Sequence, residues 1–270
     1  MIRIIFIISI FLVIVSCSKE IEKKSIINEK SLDKQVLEAY NEGFKALREK
    51  DVLFAAKKFN EVEILFPQSD IAPRASLMAA YSYYSQDYYE DSILEIQRFL
   101  KLYLNHKNTD YAYYLLALCY YEQIVDEKKD TLSIIRAKEY FEYIVNKYPD
   151  TEYAIDANFK IQLIKDILAA KEMYIGRYYV NKKKWIPAIN RFKSVVNDYD
   201  TTIYVEEALY RLVEIYYLLG IIQESKKYAN LLGYNYQSSE WYSKSYSFFD
   251  KVYEKNLLKK EKNKKLIINK

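Results

Sequence analysis

One histidine, two cysteines, four glycines and four prolines in 270 residues remove several familiar chemistries at once. With His106 as the sole histidine, histidine-rich zinc sites and an H-E-x-x-H helix are excluded. A Ser-His-Asp triad would have to use His106, yet no G-x-S-x-G is present, and Asn105, Lys107 and Asn108 mark its surroundings as a loop. Four scattered glycines cannot build a phosphate-cradling G-x-x-x-x-G-K or G-x-G-x-x-G. Few breakers also mean few tight turns, which argues against a β-sandwich and for helices with short connections. Two cysteines make no disulfide framework: Cys119 lies in the apolar run 114–121 and reads as a small buried hydrophobe, with a bridge to Cys17 as the other reading. No metal site and no cofactor is expected. A basic face is missing as well. The formal charge is +4, but residues 251–270 hold eight Lys and two Glu, so the rest is close to −2. That balance argues against nucleic acid as a partner.

What is present begins at residue 1. Arg3 precedes an apolar run that ends in Ile14-Val15-Ser16-Cys17. The run is too short for a membrane-spanning helix, which needs about 20 residues, and has the shape of a secretory signal. Apolar, apolar, small, Cys resembles the lipobox of bacterial lipoproteins, in which the cysteine becomes the lipidated first residue. Residues 1–16 are therefore expected to be a signal peptide. Cys17 and the polar stretch 18–33 follow as a lipidated residue and spacer. Ser18, rather than Asp, after the cysteine points to the outer membrane, periplasmic face, with attachment to the membrane through the lipid.

From about Lys34 a helical period takes over, and it repeats. A small residue followed four positions later by a larger apolar one recurs at Ala55/Phe59, Ser92/Ile96, Ala137/Phe141, Ala188/Phe192 and Ser225/Ala229. Residues at i and i+4 share a helix face, and the small one lets a second helix approach. Twelve residues before the small position, Gly43, Ala80 and Gly176 supply a small residue on the preceding helix. Pro67 and Pro149 each stand eight residues after a Phe of the pattern. These features match the tetratricopeptide repeat five times. The fold expected is all-α: a helical solenoid of about five such repeats in two halves joined by a long helix. The repeat domain is placed at 34–240, its halves at 34–150 and 151–240, with a C-terminal helix and lysine-rich tail at 241–270. Irregular spacings locate a charged insertion at Asp126–Thr131 and the long helix at Glu152–Tyr179, about 40 Å at 1.5 Å per residue. A generic helical bundle is the competing architecture.

No constellation for catalysis emerges. Glu206/Glu207 and Asp87/Asp91 read as solvated helix faces and N-terminal charges. Thirty tyrosines are the other excess. Tyr81, Tyr83 and Tyr84 with Tyr88 and Tyr89, and Tyr111, Tyr113 and Tyr114 with Tyr120 and Tyr121, lie on first helices or their turns. First helices line the inner face of a repeat superhelix. These rings either bind an extended peptide or pack helix against helix, and neighbours in sequence cannot all face one way. The lysine tail is either a solvated end or an element that approaches anionic headgroups.

Several segments together resemble one family, the outer-membrane protein assembly factor BamD. They are YNEGFKAL and FAAKKFNEVEILFPQSDIAPRA in the first repeat, AYSYYSQDYYEDSILEIQRFLKLYLNHKNTDYAYYLLAL in the second, KYPDTEYAIDA at 147–157 and EMYIGRYYVNKKKWIPAINRFKSVVNDYDTT at 172–202. The resemblance covers roughly residues 34–242. It departs at Leu104, Lys107 and Asp200, where the family pattern has proline, and in the lysine tail. It implies a non-enzymatic periplasmic scaffold of the outer-membrane β-barrel assembly machinery. Such a scaffold binds unfolded outer-membrane protein precursors, the periplasmic domains of the barrel insertase, and accessory lipoproteins. It also implies a precursor groove at Tyr81, Tyr83 and Tyr84, and a docking face at Tyr178, Tyr179, Trp185 and Arg191. For Trp185, packing within the repeat is the alternative. The alternative functions are another repeat lipoprotein of the envelope that coordinates cell-wall synthesis or division, and a cell-wall lytic enzyme on a helical solenoid.

Overall fold

The computed structural model describes residues 31–124 and 131–250. The expected signal peptide, Cys17, the spacer up to residue 30, residues 126–130 of the insertion and the tail from residue 251 lie outside the described residues. Within them are eleven helices and no strand: α1 Leu32–Arg48, α2 Val52–Leu65, α3 Ala72–Tyr84, α4 Tyr89–Leu102, α5 Thr109–Glu122, α6 Thr131–Lys147, α7 Glu152–Asn181, α8 Trp185–Asp198, α9 Val205–Leu218, α10 Ile222–Asn235 and α11 Glu240–Ser247. The last two residues assigned to the spacer, Leu32 and Asp33, and Thr131 of the insertion are already helical. Helices α1 to α10 pack chiefly on their neighbours in sequence, first helices also touch the next first helix, α3 on α5 and α5 on α7, and α11 packs on α9 as well as on α10. That is the contact pattern of a solenoid of hairpins, α1/α2 through α9/α10, closed by α11.

The five small/large pairs form the seams of the hairpins. Ala55, Phe59, Ser92, Ile96, Ala137, Phe141, Ala188 and Phe192 are completely buried. A Cβ on Gly43 would stand 2.9 Å from the Phe59 ring, and one on Gly176 only 2.5 Å from the Phe192 ring. The glycine is therefore the socket for the phenylalanine sixteen residues later. The fifth repeat reverses the sizes, with buried Val213 on the first helix and Ala229 on the second. Where the small residue is a serine, its buried hydroxyl is satisfied. Ser92 Oγ donates to the Ala80 carbonyl at 2.9 Å, and Ser225 Oγ donates to the Val213 carbonyl at 2.8 Å.

The turns use two separate devices. In the four within-repeat turns among the described residues the chain reverses through one left-handed residue, Lys50 (φ 64°), Asp87 (φ 64°), Lys183 (φ 55°) or Gly220 (φ 74°). Between repeats, an aromatic residue closes the second helix each time: Phe66, Tyr103, Tyr148, Tyr199 and Tyr236. Its N–H bonds back four residues, and its carbonyl accepts the N–H of the residue three further on. That residue is Ser69, His106, Thr151, Thr202 or Ser239. The side chains of Ser69, Thr151 and Ser239 then accept a backbone N–H of the next turn, from Ile71, Ala154 and Trp241. His106 does the same with Nδ1, which accepts from the Asn108 N–H at 3.2 Å. The lone histidine is thus a turn cap in a place where other repeats use Ser or Thr.

The core runs through the array as four linked clusters. Helix α7 is the splice: Ala154, Ala157, Ile161 and Ile164 belong to the cluster under α5 and α6, while Ala169 and Met173 belong to the one under α8 to α10. Its 30 residues make about 45 Å of helix. The sequence placed it correctly and two residues short. Cys119 is buried in the second-repeat cluster, where its thiol donates to Ser92 Oγ at 3.3 Å. Burial pushes that thiol up to about 11. Thiolate is the reactive form, so alkylation by iodoacetamide at pH 8 should run about a hundredfold slower in the native chain than in urea. Equal rates would show an open second repeat.

Candidate partner-binding surfaces

The first-helix face of repeats two and three carries a sheet of tyrosine rings. Tyr81 and Tyr84 of α3 lie 6.4 Å apart, and Tyr84 meets Tyr89 at 6.0 Å. On the next helices, Tyr153 of α7 sits 5.7 Å from Tyr111 and 5.1 Å from Tyr114. Carboxylates hold two of the hydroxyls: Tyr114 donates to Asp156 Oδ2 at 2.7 Å, and Tyr89 donates to Asp87 Oδ1 at 2.7 Å. Tyr81 is 38% exposed, so the sheet is open to a ligand and not sealed into the core. Exposed π faces suit the apolar side chains of an extended peptide, and the Tyr89 and Tyr114 oxygens, whose protons are taken by carboxylates, can still accept its N–H groups.

Tyr83 stands elsewhere. It packs on the first-repeat core, away from the pair Tyr81/Tyr84, as helical geometry requires of residues two apart. The surface therefore consists of Tyr81 and Tyr84 joined by Tyr111, Tyr114 and Tyr153, with Tyr83 behind it. Tyr153 could have been found in the sequence, since KYPDTEY places it at the start of the next first helix.

Burial raises the pKa of these phenols and so suppresses their ionisation. Tyr84 is pushed up to about 12, with the charge of Glu122 adding to burial, and Tyr113 to about 12, with a hydrogen bond to Tyr143 adding to burial. Burial, then the bond to Asp156, raises Tyr114 as well. All remain hydrogen-bond donors at neutral pH. A phenol whose folded value is raised stabilises the fold below its unfolded value and loses that contribution as pH climbs through the folded one. Stability should therefore hold to about pH 10 and fall steadily towards pH 12. Tyrosinate absorbance that rises in the native chain as early as in the urea-unfolded chain would contradict this.

The second candidate surface lies at the α7–α8 turn. Tyr178 and Tyr179 meet edge to face at 5.8 Å, and Tyr178 is 53% exposed. Tyr179 and Trp185 pack partly buried against the core of the last two repeats. Arg191 lies further along α8, where Nη1 donates to both oxygens of Glu172 at 3.1 Å. The four residues thus divide into an aromatic group at the turn and an arginine tied to α7. The repeat-packing reading of Trp185 holds for the part of its ring that meets the core.

A third arrangement was not foreseen from the sequence. Arg98 on α4 forms ion pairs with Glu63 of α2 and with Glu95, and its Nη2 donates to Asn60 Oδ1 at 2.9 Å. Tyr103 OH donates to the other Glu63 oxygen at 3.2 Å, and Asn60 Nδ2 donates to Glu95 Oε1 at 2.9 Å. Glu63 is 3% exposed, so this is a closed polar clamp between the first two repeats. Among the described residues, no group of His, Cys, Asp and Glu could hold a metal ion, and no helix is long and apolar enough to cross a membrane.

The family described as YfiO, outer membrane lipoprotein, matches residues 32–232. The chain belongs to this family. The match begins at the first residue of α1 and ends inside α10, so the YfiO region contains the five hairpins almost entire, and α11 lies beyond it. Curated relatives agree. The chain is 44% identical over 207 residues to the outer membrane protein assembly factor BamD of Rickettsia prowazekii (strain Madrid E), an alignment that spans 77% of this chain and 82% of the relative. It is 37% identical over 233 residues to the BamD of Caulobacter vibrioides, spanning 86% and 75%. It is 28% identical over 249 residues to that of Neisseria meningitidis serogroup A, spanning 88% and 92%. The resemblance read from the repeat segments is borne out, and both candidate surfaces fall within the YfiO match.

Proposed function

We propose that this chain is an outer-membrane protein assembly factor that works as a periplasmic scaffold without chemistry of its own. The observation that carries the reading is the match of nearly the whole hairpin array to YfiO, together with relatives named as outer membrane protein assembly factors. In this reading residues 1–16 direct export and Cys17 carries the lipid. The stretch to residue 33 is the leash, 34–240 is the working domain, and 241–270 is an end element. The tyrosine sheet around Tyr81 and Tyr84 receives unfolded β-barrel precursors, with Tyr83 supporting α3 from behind. Tyr178, Tyr179, Trp185 and Arg191 dock the periplasmic domains of the barrel insertase, since aromatic residues and arginine dominate the energetics of interfaces. Accessory lipoproteins join through the same solenoid. Holding precursor and insertase on one body raises the effective concentration of one for the other, so no covalent step is needed.

Depletion tests the reading. Loss of the chain should lower the amount of folded β-barrel protein in the outer membrane, while lipoprotein export continues. Normal barrel levels with defective septation or cell-wall synthesis would favour a cell-wall coordinator instead. Muropeptide release by the purified chain would show an enzyme.

A further inference from the structure

The docking surface has an electrostatic character that its four named residues do not show. Between Glu172 and Asp198 there are 25 residues with six cations and no carboxylate. The structure accounts for three of the six. Arg177 pairs with Glu207 at 3.0 Å, Arg191 pairs with Glu172, and Lys193 is held against Tyr216. The other three are Lys182, Lys183 and Lys184, side by side on the α7–α8 turn and all exposed. Lys182 Nζ lies 5.9 Å over the Tyr178 ring, and among the described residues no carboxylate pairs with any of the three.

The other within-repeat turns differ. Lys50 stands between Glu49 and Asp51, the α3–α4 turn carries Asp87, and the α9–α10 turn has Gly220. Lys183 takes the same left-handed position as Lys50, Asp87 and Gly220, so the run of three lysines, and not the backbone, sets this turn apart. The lysines are flanked by exposed apolar surface, Tyr178 and Ile186, the latter 68% exposed. An apolar patch edged by unpaired charge of one sign is the anatomy of a protein interface whose charge steers the encounter.

We propose that the α7–α8 turn is the basic rim of the docking surface and that the partner seated there presents a carboxylate-rich face beside an apolar patch. The inference rests on the docking reading above and adds the partner's chemistry to it. An acidic protein suits the turn better than a lipid surface, because Trp185, the side chain that would have to insert into a membrane interface, is partly buried against the core and offers only the rest of its ring. The lysine-rich composition of residues 251–270 makes them a poor electrostatic match for this site.

The test uses the full mature chain carrying Cys17→Ser, so that it stays in solution without its lipid, and the purified periplasmic domains of the insertase from the same cell. Affinity is measured at low and at moderate salt. The triple variant Lys182→Gln, Lys183→Gln, Lys184→Gln should bind about tenfold more weakly at low salt and show a flatter salt dependence. The corresponding triple Lys→Arg variant should keep both affinity and slope. Circular dichroism confirms that both variants are folded. If the glutamine variant matches the parent in affinity and slope, the basic rim is refuted while docking stands. If the parent does not bind these domains at all, the docking reading itself fails and the rim falls with it. Lysine-dependent binding to phosphatidylglycerol vesicles without binding to the protein domains would also overturn the proposal.

Discussion

Phe192→Ala removes about 3–5 kcal/mol of stability, and the loss appears first in the last two repeats. Phe192 is fully buried, and its ring lies in the space left by Gly176, where even one carbon would stand 2.5 Å from it. Truncation leaves a cavity between α7 and α8 that rigid helices cannot close. The core cluster that holds Phe192 is shared by α7, α8, α9 and α10, whereas the first-repeat cluster contains none of these helices. Stability in a solenoid is close to a sum of repeat and neighbour terms, so the damage stays local. A denaturant melt should develop an early phase, and limited proteolysis should cut after α7 before it cuts α1 to α4. The socket can also be tested from its other side. Gly176→Ala would improve an isolated helix by about 1 kcal/mol, yet here it should destabilise by about 1–3 kcal/mol through overpacking. Combined with Phe192→Leu it should cost less than the two changes summed. The fifth repeat, with Val213 opposite the Ala229 register, already shows the array built with the sizes exchanged. A Phe192→Ala melt that shifts as one transition, or by less than about 1 kcal/mol, would contradict the socket account.

Arg98→Ala has the second large effect, about 3 kcal/mol, with the first two repeats losing their joint. Glu63 is nearly inaccessible, and without Arg98 it is left with the hydrogen bond from the Tyr103 hydroxyl. A buried carboxylate without its cation is worse than no charge at all. The double variant Glu63→Leu, Arg98→Met should therefore recover most of the loss, to within about 1 kcal/mol of the parent. The pair of results separates a clamp from a simple surface ion pair, for which either single change would cost at most about 1 kcal/mol. Urea melts of the two variants measure both. Additive losses in the double variant would show that Glu63 and Arg98 do not act together.

These two sites also mark what was legible in the amino-acid sequence and what was not. The Gly176/Phe192 seam could be read, because both ends recur at fixed spacing and glycine inside a helix demands a packing reason. The Glu63/Arg98 clamp could not be read, because its members are 35 residues apart and nothing local distinguishes them from solvated charges. The turns were half-readable. The aromatic closures Phe66, Tyr103, Tyr148, Tyr199 and Tyr236 each stand eleven residues after the small position, a fifth regularity that the Pro67 and Pro149 signals only hinted at. His106 became intelligible only once its turn was aligned with those of Ser69 and Thr151. The left-handed residues Lys50, Asp87 and Lys183 carry no sequence mark, because the usual mark is glycine. For the tyrosines, periodicity placed Tyr81 and Tyr84 on one face. The grouping that put Tyr83 with them ignored the turn of the helix, and Tyr153 joined the sheet only because α5 packs on α7.

In the proposed function this body joins an insertase to its precursors. Mild-detergent purification of the affinity-tagged, lipidated chain from isolated envelopes tests it most directly. The barrel insertase is expected in near-stoichiometric amount, and its recovery should drop when Tyr178 and Trp185 are both replaced by serine in a chain that stays folded. Recovery of peptidoglycan-synthesis or division proteins without the insertase, in repeated preparations, would contradict it.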